Sequence, residues 1–281
     1  MEQSKYITID QCPICGSAES DLFLESNDFS TSKEDFNIRE CSGCGFRFTS
    51  PIPTEGNIGS YYESEDYISH TDSKKGMMNK VYHSVRKKAI KNKEYLIDTF
   101  NGEKTLLDIG CGTGDFLTFC KEHGWKTSGL EPDEGARKIC LEKGVDVKDI
   151  DELHKLEDDS FGVITMWHVL EHVYHLNRDF EKIKAVLKKD GKLVIAVPNC
   201  SSYDAEKYGK FWAAYDLPIH LYHFRPDDIK RLAEKYEMKV EKILPMKYDS
   251  FYVSMLSEKY QGSPGIGGKV NAFFSGWKSN R

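Results

Sequence analysis

The chain has 281 residues, 39% hydrophobic and 30% charged, with a formal net charge of −6. That length holds one full α/β domain and a small extra module, and the charge gives no general pull toward nucleic acid. No run of about 18 apolar residues exists to cross a membrane, and the opening Met1-Glu2-Gln3-Ser4-Lys5 has neither the charge pattern nor the apolar core of a secretory signal, so cytoplasm is the default expectation.

Residues 1–50 form the first expected unit. Cys12-Pro13-Ile14-Cys15-Gly16 and Cys41-Ser42-Gly43-Cys44-Gly45 are two Cys-x-x-Cys turns of the zinc-knuckle kind, each placing two thiolates on one metal. Short alternating segments at 22–25, 36–40 and 46–49 read as the strands of a zinc ribbon. So small a unit buries too little core to fold alone, which gives a structural Zn2+ on Cys12, Cys15, Cys41 and Cys44 a purpose. Four thiolates leave no open position for catalysis. The other cysteines (111, 120, 140 and 200) are scattered and read as small apolar residues.

Ser50-Pro51-Ile52-Pro53 breaks regular structure. Residues 51–75 then form a polar linker holding Tyr61-Tyr62 and Tyr67, aromatics that either dock the ribbon or close over a ligand. Residues 76–100 read as a helix, with Met78, Val81, Tyr82, Val85, Ala89, Leu96 and Phe100 on one face. Lys80, Arg86, Lys87, Lys88, Lys91 and Lys93 lie opposite, and the ordinary meaning of such a stripe is a solvated surface.

From residue 104 strands and helices alternate. Strands are expected at 105–109, 126–130, 145–148, 161–166 and 192–197, and helices at 116–123, 134–143, 170–187 and 226–236. Strands spaced by helices imply right-handed crossovers in an α/β, doubly wound, mostly parallel sheet. Ligands of such sheets sit beyond the carboxyl ends of the strands, at the switch point. The first strand runs into Asp108-Ile109-Gly110-Cys111-Gly112-Thr113-Gly114-Asp115-Phe116, a strand, a glycine turn and a helix start. Glycines at 110, 112 and 114 clear side chains from the loop backbone and the helix N-terminus.

With Asp108 before the first glycine, this wording resembles motif I of class I S-adenosylmethionine (SAM)-dependent methyltransferases. The second strand ends in Gly129-Leu130-Glu131-Pro132-Asp133, where an acid can accept hydrogen bonds from both ribose hydroxyls. This matches the acidic motif of the same family. The resemblance implies that Asp108, Gly110, Cys111, Gly112, Gly114, Glu131 and Pro132 bind SAM, with adenine near Asp149 and Ile150. Met166-Trp167-His168-Val169-Leu170-Glu171-His172-Val173 is similar to the wording of the small-molecule branch, which puts Met166, Trp167 and His168 beside the cofactor. Gly162 stands where the family usually has Asp, at the strand start and away from the ligand. The Asn/Asp-Pro-Pro-Tyr/Phe motif of methyltransferases acting on bases or glutamine is absent after this strand.

Residues 199–224 form an aromatic insertion expected over the active-site face. Phe211, Trp212, Tyr215 and Tyr222, with Tyr62 and Tyr67 from the linker, are the substrate-binding candidates. A packed cap without a chemical role is the alternative. Proton removal from a hydroxyl acceptor falls to His220, His223 or His168, with Asp216 orienting one of them.

The resemblance covers nearly the whole chain: ribbon (1–50), linker and lid (51–75), and methyltransferase domain (76–281). The expected function is methyl transfer from SAM to a small-molecule acceptor on oxygen or carbon. Two alternatives compete, an RNA base methyltransferase and a non-catalytic SAM-fold binding protein. Residues 1–75 hold 14 Asp and Glu against 6 Lys and Arg, which speaks against phosphate contact. Oligomeric state has no signature. A sixth strand is expected at 238–244 and a helix at 270–278. No final strand is legible, implying an incomplete sheet edge or a longer native chain.

Overall fold

A computed structural model describes residues 4–62, 77–100, 102–246, 248–263 and 265–280, without the side chains of 77–84. The chain divides into two compact units, Met1–Thr71 with Val197–Arg281, and Asp72–Ala196.

The N-terminal part contributes β1 (Tyr6–Ile7), β2 (Ser20–Asn27), β3 (Asp35–Cys41), β4 (Arg47–Thr49) and β5 (Ile52–Pro53). Strands β2, β3 and β4 form an antiparallel meander, and β1 pairs with β5. Alternation explains the first part of β3: Phe36 and Ile38 are buried while Asp35, Asn37 and Arg39 are not.

The unit Asp72–Ala196 begins with α1 (Met77–Asp98). It continues through β6 (Thr105–Ile109), α2 (Asp115–Glu122), β7 (Lys126–Leu130), α3 (Glu134–Glu142), β8 (Val147–Lys148), β9 (Phe161–Trp167), α4 (Leu176–Val186) and β10 (Leu187–Ala196). The five strands are parallel in the order β10-β9-β6-β7-β8. Chain order reverses at β6, so the glycine turn leaves the sheet at its switch point. Strand β6 is buried from Leu106 to Ile109, as befits a central parallel strand covered on both faces. Cys120 and Cys140 are fully buried in the core with Leu106, Leu117 and Val163, which is the apolar role expected of the scattered cysteines. Gly162 has a packing reason: a β-carbon there would strike the carbonyl of Glu103.

After Ala196 come α5 (Tyr203–Tyr208), β11 (Tyr222–His223), α6 (Pro226–Lys235), α7 (Asp249–Tyr260) and α8 (Ile266–Ser279). The expected division at residue 76 is not the one observed, because 197–281 belongs with 1–71. Strand β11 adds to the edge of β4 with Tyr222 opposite Phe48. Arg231 donates to the Cys44 carbonyl at 2.7 Å and Lys235 to that of Pro13 at 3.2 Å, joining α6 to both knuckles. This unit's core gathers Phe36, Ile38, Tyr61, Tyr208, Trp212 and Tyr215.

The strand expected at 238–244 is absent. Its alternating pattern suits a strand, but no strand edge pairs with it among the described residues, and Ile243 and Leu244 are exposed. A strand needs a hydrogen-bonding neighbour as well as a pattern.

Candidate active site

The turn after β6 is held from several sides. The N–H groups of Gly110 and Cys111 donate to the Leu130 carbonyl, at 2.7 and 3.2 Å. The Cys140 thiol donates to the Gly112 carbonyl at 3.1 Å, and Lys143 to that of Thr113 at 2.6 Å. The glycines serve different ends. Gly110 has a positive φ, and a β-carbon on it would collide with Val169. Gly112 also has a positive φ, but the space its β-carbon would enter is open. Gly112 is therefore the point where a ligand can approach the backbone closely.

Glu131 lies at the end of β7, buried. One carboxylate oxygen accepts the Gly112 N–H at 2.8 Å and the other the Asp133 N–H at 3.0 Å. Burial raises its pKa above the ordinary carboxylate value, and the two backbone donors oppose that. Asp108, only 3% exposed, accepts from the Thr165 hydroxyl at 2.6 Å. Burial pushes its pKa up to about 7, against the Thr165 hydrogen bond and the charge of Lys93.

Asp149 caps the turn after β8 by accepting the Asp151 N–H at 3.1 Å, and it pairs with Arg137 at 2.7 Å. Arg137 also donates to the carbonyls of Glu131 and Pro132, so it ties the β7 and β8 exits together. Ile150 is half-buried beside Asp149, and Pro132 is exposed.

At the end of β9, Met166 is buried and Trp167 half-buried, with Phe116 edge-on to the indole at 5.8 Å. The Lys93 ammonium lies 4.3 Å from the centre of the Trp167 ring. The indole N–H is buried and has no hydrogen-bond partner among the described residues. His168 follows with a positive φ, its Nδ1 3.5 Å from the buried Glu171 carboxylate. The β6, β7, β8 and β9 exits thus present an open glycine, a buried acid, an orphan donor and an aromatic face. A cofactor with a ribose and a cationic sulfur fits that donor set.

In the other unit, the sulfurs of Cys12, Cys15, Cys41 and Cys44 all lie within 4.8 Å of one another. Cys12 and Cys44 approach to 3.6 Å, and Cys15 and Cys41 to 3.5 Å. A tetrahedral zinc with bonds of about 2.3 Å sets its sulfurs about 3.8 Å apart, so the cluster has the size of such a site.

His220 and His223 occupy the same unit. The Thr49 hydroxyl donates to the His220 carbonyl at 2.8 Å and lies 3.0 Å from His223 Nε2. With its own proton committed, that hydroxyl accepts from His223 Nε2–H. Burial, with the charges of His220 and Arg47, lowers the His223 pKa well below the ordinary value. His220 Nδ1 lies 2.9 Å from the Ala214 carbonyl, which can only accept, so Nδ1 carries a proton.

The aromatic insertion is largely core. Trp212 donates its indole N–H to Asp204 at 3.0 Å and meets Tyr215 edge-on. Tyr215 in turn meets His223, and Tyr222 packs between Phe46 and Phe224. Trp212, Tyr215 and Tyr222 are all buried, so their rings are engaged in packing, as in the cap alternative. Asp216, half-buried with a positive φ, accepts the His220 N–H on its carbonyl at 3.0 Å. Phe211 lies against Phe29, and Tyr62 against this unit's core. Tyr67 lies outside the described residues.

Sequence reasoning missed Thr165, Arg137 and Lys93. Thr165 is masked in an apolar strand, although its register opposite Asp108 is a detectable signal. Lys93 was hidden in the basic stripe of α1.

The methyltransferase-domain family model matches residues 81–243. An uncharacterised protein of Methanocaldococcus jannaschii is 28% identical over 146 residues, which is 48% of this chain and 60% of that protein's length. A ubiquinone biosynthesis O-methyltransferase of Glaesserella parasuis is 26% identical over 171 residues, 53% of this chain and 72% of that enzyme. Among solved structures, a SAM-dependent methyltransferase from Archaeoglobus fulgidus has a TM-score of 0.46 at 24% identity, over 64% of this chain and 88% of the other.

Proposed function

The chain belongs to the methyltransferase-domain family and is a SAM-dependent methyltransferase, and from that premise we propose that its acceptor is a small molecule methylated on oxygen or carbon. The observation carrying this reading is the exit of β9, Trp167-His168-Val169-Leu170, where an aromatic and a histidine replace the Pro-Pro-aromatic turn of enzymes acting on bases. The relatives named for ubiquinone biosynthesis O-methylation agree with it.

SAM, when bound, supplies a methyl carried on a sulfonium whose sulfur departs as a neutral thioether. The chain's residues supply position and proton handling. Glu131 accepts from the ribose hydroxyls while its backbone partners keep the carboxylate in place. The Trp167 face attracts positive charge, and Gly112 lets the ligand close on the loop. Asp149 and Ile150 border the base, and Asp108, beneath the loop, holds β6 to β9. For a hydroxyl acceptor, His168 at the end of β9 would receive the proton as the acceptor's electron pair forms its bond to the transferred methyl. Most of the acceleration comes from alignment in a dry site.

Zinc on Cys12, Cys15, Cys41 and Cys44 is the structural metal of this reading, supported by the sulfur spacing and the absence of a fifth donor in the motif.

The test is methylation of size-fractionated metabolite and RNA pools with methyl-labelled SAM. Label in the small-molecule fraction, lost in His168→Asn, is expected. Label confined to RNA would overturn the small-molecule reading.

A further inference from the structure

The two C-terminal helices are built inside out. In water, a helix pair buries its large apolar residues and exposes the small and polar ones. Here Ser254, Ser257 and Glu258 of α7 and Gly268, Ala272, Ser275 and Gly276 of α8 are the buried residues. The approach is close. A β-carbon on Gly276 would lie within 3.0 Å of the Phe251 backbone, and one on Gly268 would strike the Ser263 carbonyl. The large side chains point outward: Phe273 and Phe274 are each 58% exposed, Met255 51%, Val270 49% and Trp277 41%. Small residues at the helix contact and large apolar ones outside is the arrangement of helices packed in lipid, where no hydrophobic penalty attaches to the outer face.

Charge adds an independent indication. Helix α8 carries Lys269 and Lys278 and no acidic residue, and both lysines are exposed. Residues 239–281 hold seven Lys and Arg against three Asp and Glu, in a chain whose formal net charge is −6. At 14 residues α8 is about 21 Å long, too short to cross a hydrocarbon layer of about 30 Å. A short amphipathic helix with aromatics on one side and lysines beside them suits the interface plane of an anionic bilayer.

We propose that the α7–α8 hairpin docks on an anionic lipid bilayer surface, with Val270, Phe273, Phe274 and Trp277 entering the headgroup–acyl boundary and Lys269 and Lys278 meeting the lipid phosphates. This inference stands apart from the acceptor reading.

The test is co-sedimentation of the full chain with phosphatidylcholine vesicles, with and without phosphatidylglycerol, at rising salt. Binding to the anionic vesicles alone, weakening with salt, is expected. The triple variant Phe273→Ser, Phe274→Ser, Trp277→Ser should lose at least about tenfold in partitioning, since it withdraws most of the inserted apolar surface. Lys269→Gln with Lys278→Gln leaves Val270, Phe273, Phe274 and Trp277 in place, removes the Lys278 contact with the Tyr203 ring, and should lose about fivefold per lysine. Melting temperature and SAM affinity equal to the parent's confirm that the variants fold. No binding to either vesicle, or binding indifferent to both variants, would overturn the proposal. So would a dimer in solution that the triple variant dissociates without any vesicle binding in the parent.

Discussion

The Glu131 carboxylate accepts the backbone N–H of Gly112 at 2.8 Å, across the gap between the β7 and β6 exits. The acid expected at the ribose therefore also sets the conformation of the loop beneath the ligand. Charge-assisted hydrogen bonds of this kind contribute about 1.5–3 kcal/mol each. Glu131→Ala should reduce SAM affinity by at least about tenfold and speed amide exchange at residues 110–114. Calorimetric titration together with hydrogen exchange measures both. Unaltered affinity would remove Glu131 from the site.

The glycine turn allows a sharper separation. Gly112→Ala meets open space and carries only the left-handed backbone penalty of about 1–2 kcal/mol, so it should fold and yet bind SAM poorly. Gly110→Ala pays that penalty and also collides with Val169, so it should lose stability more than Gly112→Ala does. Thermal melts with and without SAM distinguish the two. A Gly112→Ala protein that binds like the parent would place the ligand elsewhere.

Asp108 makes stability depend on pH. Its pKa in the folded chain is about 7, raised by burial, against an ordinary 3.8. Between those values the native chain keeps a proton that the unfolded chain releases, so protonation favours the native state. Stability of the Asp72–Ala196 unit should fall as pH rises from about 4 to 7 and level off above, and Asp108→Asn should flatten that slope. Thr165→Val removes the hydrogen bond that lowers the Asp108 pKa, so the falling window should extend to higher pH, at a cost of about 1 kcal/mol. Urea midpoints across the pH range read both effects.

Much of this was legible in the chain itself, for identifiable reasons. Strand β6 is a short apolar run closed by a glycine turn, and runs and turns are local signals. The paired Cys-x-x-Cys knuckles are likewise local, and their four sulfurs do converge. What sequence could not reveal depends on distant partners. Met238–Leu244 alternates like a strand, but no neighbour pairs with it among the described residues. Tyr222–His223 is only two residues long, and its place on the edge of β4 cannot be read from so short a pattern. Trp212 and Tyr215 looked like pocket walls because aromatic density alone does not say which way rings face; Asp204 and His223 occupy them instead. Lys93 shares its composition with the solvated lysines of α1, and only the fold brings it over Trp167.

The contact between α6 and the second knuckle predicts a metal dependence. Arg231 donates to the carbonyl of Cys44, itself one of the four clustered cysteines. Partners of metal ligands commonly contribute ten- to a hundredfold in affinity, so Arg231→Gln should weaken zinc retention by about tenfold in competition with a chromophoric chelator. Full chelation should melt the β2–β3–β4–β11 sheet. A chain that holds no zinc as purified, or whose melting a chelator leaves unchanged, would contradict the structural-metal proposal.

The central claim is that the β6, β7 and β9 exits hold SAM, and calorimetric titration with SAM and with its demethylated product tests it most directly. The account predicts saturable one-to-one binding of both ligands in the parent and its loss in Glu131→Ala and Gly112→Ala variants that remain folded. Absence of heat with both ligands in the folded parent, or equal binding in the folded variants, would contradict it.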